Sequence, residues 1–232
     1  MWGDAKPAAP AETGRMTTPA GLIRTLMAVA AVGGPLGYLV GGALSPSIHQ
    51  PAAESITAAA VANPATNTTH IVAFVVASYL LPVGGVALAW LAYPGRPWLA
   101  TIGGLLALAG WLPFSALTAL DDLTNAMDGQ QALAGLLDRF STGPVMTSYL
   151  LVYVIGHLLA YVLLGIALIG RIPRWAAWSL IASSPLTIAA FLVPTGARQA
   201  VGVAALTLLV LGSLPAARAI WPSRRASTAL VS

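Results

Sequence analysis

Six stretches of this chain run without a single Asp, Glu, Lys or Arg: 25–44, 71–92, 99–120, 146–170, 175–194 and 199–217. Each is close to the ~20 apolar residues that a helix needs to cross a bilayer. None alternates polar and apolar positions as a barrel strand would. In lipid the backbone must satisfy its own N–H and C=O groups, and an unbroken apolar run does so as a helix. The pattern predicts an all-α polytopic membrane protein with six transmembrane helices, here spans 1 to 6, in one domain over residues 22–220. Residues 1–21 and 221–232 read as tails, the first rich in Pro, Ala, Gly and Thr and expected to be disordered. Met16 is a second candidate start, which would put Arg24 in a short basic segment ahead of span 1.

The charges sort by side. Lys6, Arg15, Arg24, Arg96, Arg171, Arg174, Arg218, Arg224 and Arg225 fall on one side of the predicted membrane, and Arg139 and Arg198 on the other. The positive-inside rule then makes both termini cytoplasmic. Trp98, Trp175 and Trp221 fall at cytoplasmic span ends, where aromatic belts lie. The cytoplasmic hairpins are short, as in Pro94-Gly95-Arg96-Pro97, whereas the outer loops 45–69 and 121–145 are long. Loops of that length rarely lack structure of their own. In the second, Asp128 and Gln131 have capping-box spacing, and Leu133, Leu136, Leu137 and Phe140 form an apolar stripe. This predicts a short amphipathic helix over the outer end of the bundle, with a weaker one around Glu54–Val61. Glu54, Asp121, Asp122, Asp128 and Asp138 share the outer side, where they either solvate the surface or rim a site.

Composition narrows the function. Hydrophobic residues make up 57% of the 232 residues and charged ones 8%, against about a quarter charged in soluble domains. Too little polar surface remains to enclose a soluble enzyme or a nucleic-acid-binding domain. The net charge of +4 comes from scattered loop residues, so no nucleic-acid partner is expected. There is no cysteine for disulfides or thiolate metal sites, and Lys6, the one lysine, is in the tail. His49, His70 and Glu54 share the outer side without a metal-site spacing. His70, at the membrane edge, lies at a different depth from His157, so neither zinc nor bis-histidine haem is expected. No metal or cofactor is predicted. Asp121-Asp122-Leu123-Thr124-Asn125 is similar to the aspartate-rich metal motif of diphosphate-using terpene enzymes but faces away from the cytoplasm. Asn67-Thr68-Thr69 matches a glycosylation sequon, but the arginine-rich, lysine-poor, alanine-rich composition points to a bacterial cytoplasmic membrane.

Candidate chemistry lies inside the spans. In span 4, Tyr149, Tyr153, His157 and Tyr161 are four apart and drift by only about 40° per step, so they share a face. His157 falls near the middle of the span, where an ionisable group is a functional candidate. It reads either as a neutral interhelical hydrogen-bonding partner or as a ligand contact. Trp111, Ser115, Thr118 and Asp122 make a matching face on span 3, and Ser179, Ser183 and Thr187 another on span 5. The hydroxyls either bond back to their own helices or, with Arg198 at the mouth, help line an outward-open cleft between spans 3, 4 and 5. Gly33, Gly37 and Gly41 form a close-approach face on span 1, suited to internal packing or to a homodimer or other membrane partner. Pro35, Pro82, Pro113 and Pro185 lie inside spans and are candidate kinks.

The arrangement resembles a broad group of small six-helix bacterial integral membrane proteins of unassigned function. The resemblance rests on His70 early in span 2, the Asp128-Gly129 outer helix ending at Leu137-Asp138, and the Pro173-Arg174-Trp175 hairpin. It implies a fold and no activity. Three functions follow from the residues: binding or transport of a small, largely apolar molecule in the cleft, an isomerase or terpene-cyclase-like enzyme using His157 or Asp122, or a structural subunit docked through the glycine face.

Overall fold

A computed structural model describes residues 19–45, 62–126, 139–140 and 142–222. The terminal tails up to residue 18 and beyond 222, the helix expected around Glu54–Val61, and the stripe through Leu133, Leu136 and Leu137 lie outside the described residues. Among the described residues seven helices carry the fold: α1 (Pro19–Leu44), α2 (Pro64–Ala92), α3 (Pro97–Trp111), α4 (Phe114–Ala126), α5 (Pro144–Leu168), α6 (Arg174–Leu192) and α7 (Thr195–Ile220). The described residues form no strand, only an isolated bridge between Ile169 and Ile172 in the α5–α6 turn. Gly170 in that turn has φ +90°, a left-handed conformation open to glycine at little cost.

Among the described residues six spans are long and apolar enough to cross a membrane, as a multi-pass membrane protein requires. Spans 1 to 6 correspond to α1, α2, α3 with α4, α5, α6 and α7. The helices overrun the apolar windows at their starts. α1 begins at Pro19, inside the expected tail, and α2 at Pro64, seven residues before its charge-free window. Proline supplies a pre-set φ at a first helical position, where its missing N–H is not needed. Thr68 and Thr69 then bond back to the carbonyls of Pro64 and Ala65, so the polar first turns of α2 stay helical.

The prolines divide by effect. Pro113 ends α3, and the helix restarts as α4 after a turn at Leu112–Pro113. Proline has no N–H to donate and its ring crowds the preceding turn. Pro35, Pro82 and Pro185 sit within unbroken helices, as does Pro215 in α7.

The spans close into a ring in chain order: α1 on α2, α2 on α3, α3 on α5, α5 on α6, α6 on α7, and α7 back on α1. α2 also touches α4, α5 and α7, making it the most enclosed span. Large side chains such as Leu26, Val76, Leu105, Ile155 and Phe191 point outward, which suits a lipid solvent. Inside, the spans approach through small residues. A Cβ on Gly34 would stand 2.9 Å from the Leu81 nitrogen, and one on Gly37 3.0 Å from the Ala73 carbonyl oxygen. A Cβ on Gly33 would meet Leu80, and one on Gly41 would meet the Phe74 ring. Of the two readings of the Gly33/Gly37/Gly41 face, the structure shows internal packing: α2 covers it.

Candidate functional site

One end of the bundle carries Arg24, Arg96, Arg171, Arg174 and Arg218. Arg96 donates to the Ile166 carbonyl at 2.6 Å, which also accepts from the Ile169 N–H at the C-cap of α5. The candidate site lies toward the opposite end, inside α1, α2, α3, α4 and α5.

It is an aromatic cluster built in steps. Trp111 and Phe114 flank the Pro113 break, and both rings are buried. On α5, Tyr153, His157 and Tyr161 share the face that four-residue spacing gives them. α3 and α5 approach closely because Gly110 and Gly156 meet backbone to backbone: a Cβ on Gly156 would lie 2.6 Å from Gly110 Cα. That approach brings the Trp111 ring to 4.7 Å from His157 and 5.6 Å from Tyr153. α1 adds Tyr38, edge-on to Trp111 at 5.0 Å and to Phe114 at 5.3 Å. α2 adds Phe74, 4.9 Å from Phe114, and His70, 4.5 Å from Phe74. Phe114 stacks on Tyr153 at 5.4 Å with 9° between the planes. Eight rings from five helices therefore form one connected cluster.

Its polar atoms are few and specifically placed. The hydroxyls of Tyr38 and Tyr153 meet at 2.5 Å, linking α1 to α5. His70 Nδ1 donates to the Gly41 carbonyl at 2.7 Å, and its Nε2 lies 3.5 Å from Asp121 Oδ2. His157 Nδ1 donates to the Tyr153 carbonyl one turn back in its own helix. A carbonyl only accepts, so both rings carry a proton on Nδ1 and turn Nε2 to other uses. Trp111 is fully buried, and its Nε1 lies near the Tyr161 hydroxyl without meeting hydrogen-bond geometry. An unmade hydrogen bond on a buried donor costs about 1–3 kcal/mol.

The expected site residues divide. Trp111, Tyr153, His157 and Tyr161 come together in the cluster. Thr118 is buried but bonds back to Phe114, and Ser115 is exposed and bonds back to Leu112. Tyr149 is 43% exposed, away from its three partners, because a 40° drift per step carries the first member off the shared face. Asp122 is exposed, and its neighbour Asp121 is the acid that meets a histidine. On α6, Ser179, Ser183 and Thr187 all bond back to their own helix. Ser184, one residue on, instead donates across to the Leu158 carbonyl of α5 at 2.8 Å. Arg198 is half-buried near the start of α7 with its Nε unbonded. α5 stands between α3 and α6, and α1 and α2 complete the cluster.

Sequence reasoning missed Tyr38, Phe74 and Phe114. A signal was present: Tyr38 follows Gly34 by four, and Phe74 follows His70 by four. Among the described residues no group of three His, Asp or Glu could hold a metal, and His49 and Glu54 lie outside them. No protein-family model matches the chain, and neither the curated proteins nor the solved structures compared with it give a match.

Proposed function

We propose that this is a multi-pass protein of a bacterial cytoplasmic membrane, both termini cytoplasmic, that binds or transports a small, largely apolar molecule at the aromatic cluster. Nine of eleven basic residues on one predicted side support the orientation. The observation that carries the binding reading is the buried Trp111 indole donor, unbonded within a cage of rings and beside an imidazole. Such a site suits a flat apolar molecule with one acceptor oxygen: the rings cover its faces and the indole N–H meets the oxygen. The rings stand 4.5–6.2 Å apart, so a ligand gains space by displacing one of them. Tyr38 and Tyr153 are joined to each other through their hydroxyls and are the pair to open. The cluster rather than a cleft between spans 3, 4 and 5 is then the site.

A second reading, proton transfer on a lipophilic substrate in an isomerase or cyclase, is favoured by the His70–Asp121 pair, a buried imidazole beneath a partly exposed carboxyl. Native mass spectrometry of protein purified from its host membrane separates these ideas from a purely structural role. Wild-type protein is expected to carry a small lipophilic adduct, reduced at least tenfold in Trp111→Phe, with a changed product mass if turnover occurs. The same adducts in wild type and variant, or none in either, would refute the proposal.

A further inference from the structure

A second site lies at the basic end, on the bilayer-facing side of the bundle. Val86, Ala89, Trp90 and Tyr93 of α2 and the α2–α3 turn face Ala100, Thr101, Gly104, Leu105 and Leu108 of α3 across a groove of about 290 Å³. Its walls are almost wholly apolar. It exists because the two helices touch through small residues and spread above them: a Cβ on Gly104 would lie 2.7 Å from the Ala89 Cβ. The bulky Trp90 and Leu105 then stand as banks on either side, both exposed. From Ala100 to Leu108 the groove follows nine residues of α3, about 12 Å of helix. Its volume equals about ten water-sized groups, and a methylene is of similar size.

The polar chemistry is all at one end. Arg24 of α1 is exposed, and its guanidinium stands 5.4 Å from the centre of the Trp90 ring that forms the bank. Among the described residues no carboxylate pairs with Arg24. Tyr93 closes the same end, and Trp and Tyr are the residues that sit at headgroup level. An apolar trough about half an acyl chain long, with an exposed arginine over the indole of one bank, has the chemistry of a single lipid.

We infer that this groove binds an anionic glycerophospholipid, with an acyl chain between α2 and α3 and its phosphate at Arg24. The guanidinium selects the anionic headgroup, and the trough fixes the chain. The site is separate from the aromatic cluster and does not depend on what the cluster binds.

The test is native mass spectrometry of the full chain released from nanodiscs containing equal parts phosphatidylglycerol and phosphatidylcholine with identical acyl chains. Wild-type protein is expected to retain phosphatidylglycerol over phosphatidylcholine about fivefold, as one arginine at a headgroup predicts. Arg24→Gln should reduce that ratio to about one, Arg24→Lys should keep most of it, and Arg218→Gln, at the same end on α7, should leave it unchanged. Leu105→Trp, an exposed position on the bank, should lower retention of both lipids. The inference is overturned if the wild-type ratio is near one, or if Arg24→Gln and Arg218→Gln behave alike. It is equally overturned if Leu105→Trp leaves retention untouched. Loss of the cluster ligand in Trp111→Phe leaves all of these ratios unchanged, so the two proposals fail separately.

Discussion

Replacing Gly156 by alanine tests the contact on which the cluster stands. The new Cβ would lie 2.6 Å from Gly110 Cα, 3.0 Å from Gly110 N and 3.1 Å from the Leu106 carbonyl oxygen. Carbon contacts settle at about 3.5–4.0 Å, so α3 and α5 must part locally by about 1 Å. All three obstacles are backbone atoms that cannot rotate away. A gap of 0.5–1 Å forfeits about a quarter to a half of each dispersion contact across it. Between membrane helices such packing is a main source of association, since lipid is as apolar as the interface. Overpacking typically costs about 1–3 kcal/mol, and a rigid backbone contact belongs at the upper end, near 3 kcal/mol. Reversible unfolding in mixed micelles by SDS titration, followed by tryptophan fluorescence and helicity, measures it. Gly196→Ala is the control: nothing lies within 4 Å of a Cβ there, so its effect should stay within about 0.5 kcal/mol. The Gly110→Ala/Gly156→Ala pair should cost less than the sum of the singles, because one separation accommodates both methyls. A Gly156→Ala cost no larger than that of Gly196→Ala would refute the reasoning.

Three further outcomes are expected from the same unfolding measurement. A double-mutant cycle on Tyr38→Phe and Tyr153→Phe should give a coupling of about 0.6 kcal/mol, and at most about 1.7, the range for hydrogen bonds between membrane helices; zero coupling would show that the hydroxyls do not support each other. Ser184→Ala, which removes the bond from α6 to the Leu158 carbonyl, should destabilise by about 0.5–1.5 kcal/mol, whereas Ser179→Ala, which removes a bond within its own helix, should change stability by less than about 0.5 kcal/mol. Asp121→Asn should be tolerated better than Asp121→Leu by about 1 kcal/mol, because the amide N–H can donate to His70 Nε2 and leucine cannot; equal costs would sever the acid from the histidine.

The spans were legible because a 20-residue apolar run has one solution in lipid. Helix starts were less so: Pro19 and Pro64 open helices among polar residues, and hydropathy alone places them in loops. The break at Pro113 was legible only as one of four similar prolines, and nothing local separates it from Pro35 or Pro82. The candidate site was half legible. Four-residue spacing put Tyr153, His157 and Tyr161 on one face, and the structure packs all three into the cluster. What they face was not legible, since the partner of a helix face depends on which helices touch. That was set by small residues, Gly34 and Gly37 against α2 and Gly110 against Gly156, whose role emerges only once both partners are known. The serines show the same limit. Ser179 and Ser183 were chosen for their spacing and serve their own helix, while Ser184, outside the pattern, joins two helices.

The polar groups also decide how much chemistry the cluster can do. Most hydroxyls in the spans are occupied by the carbonyl three or four residues back, including Thr118, Ser183, Thr207 and Ser213. Such groups have spent their one donor on their own helix and can offer a ligand or a neighbour only an acceptor. The exceptions concentrate around the cluster: Tyr38 with Tyr153, His70 with Gly41, and His70 with Asp121. The last is the informative one. With Nδ1 donating to a carbonyl, a neutral His70 would show Asp121 only a lone pair, and an ionised carboxylate has no proton to offer in return. The contact is attractive only in the form that keeps a proton on Nε2 or on the carboxyl. The pair lies at the rim, where Asp121 is 43% exposed, while His70 is sealed beneath it. His157 has no acid beside it among the described residues, so its Nε2 can accept a proton or a hydrogen bond but has no partner to pass one on. We therefore attach the proton-transfer reading to His70 with Asp121 and the binding reading to His157 with Trp111.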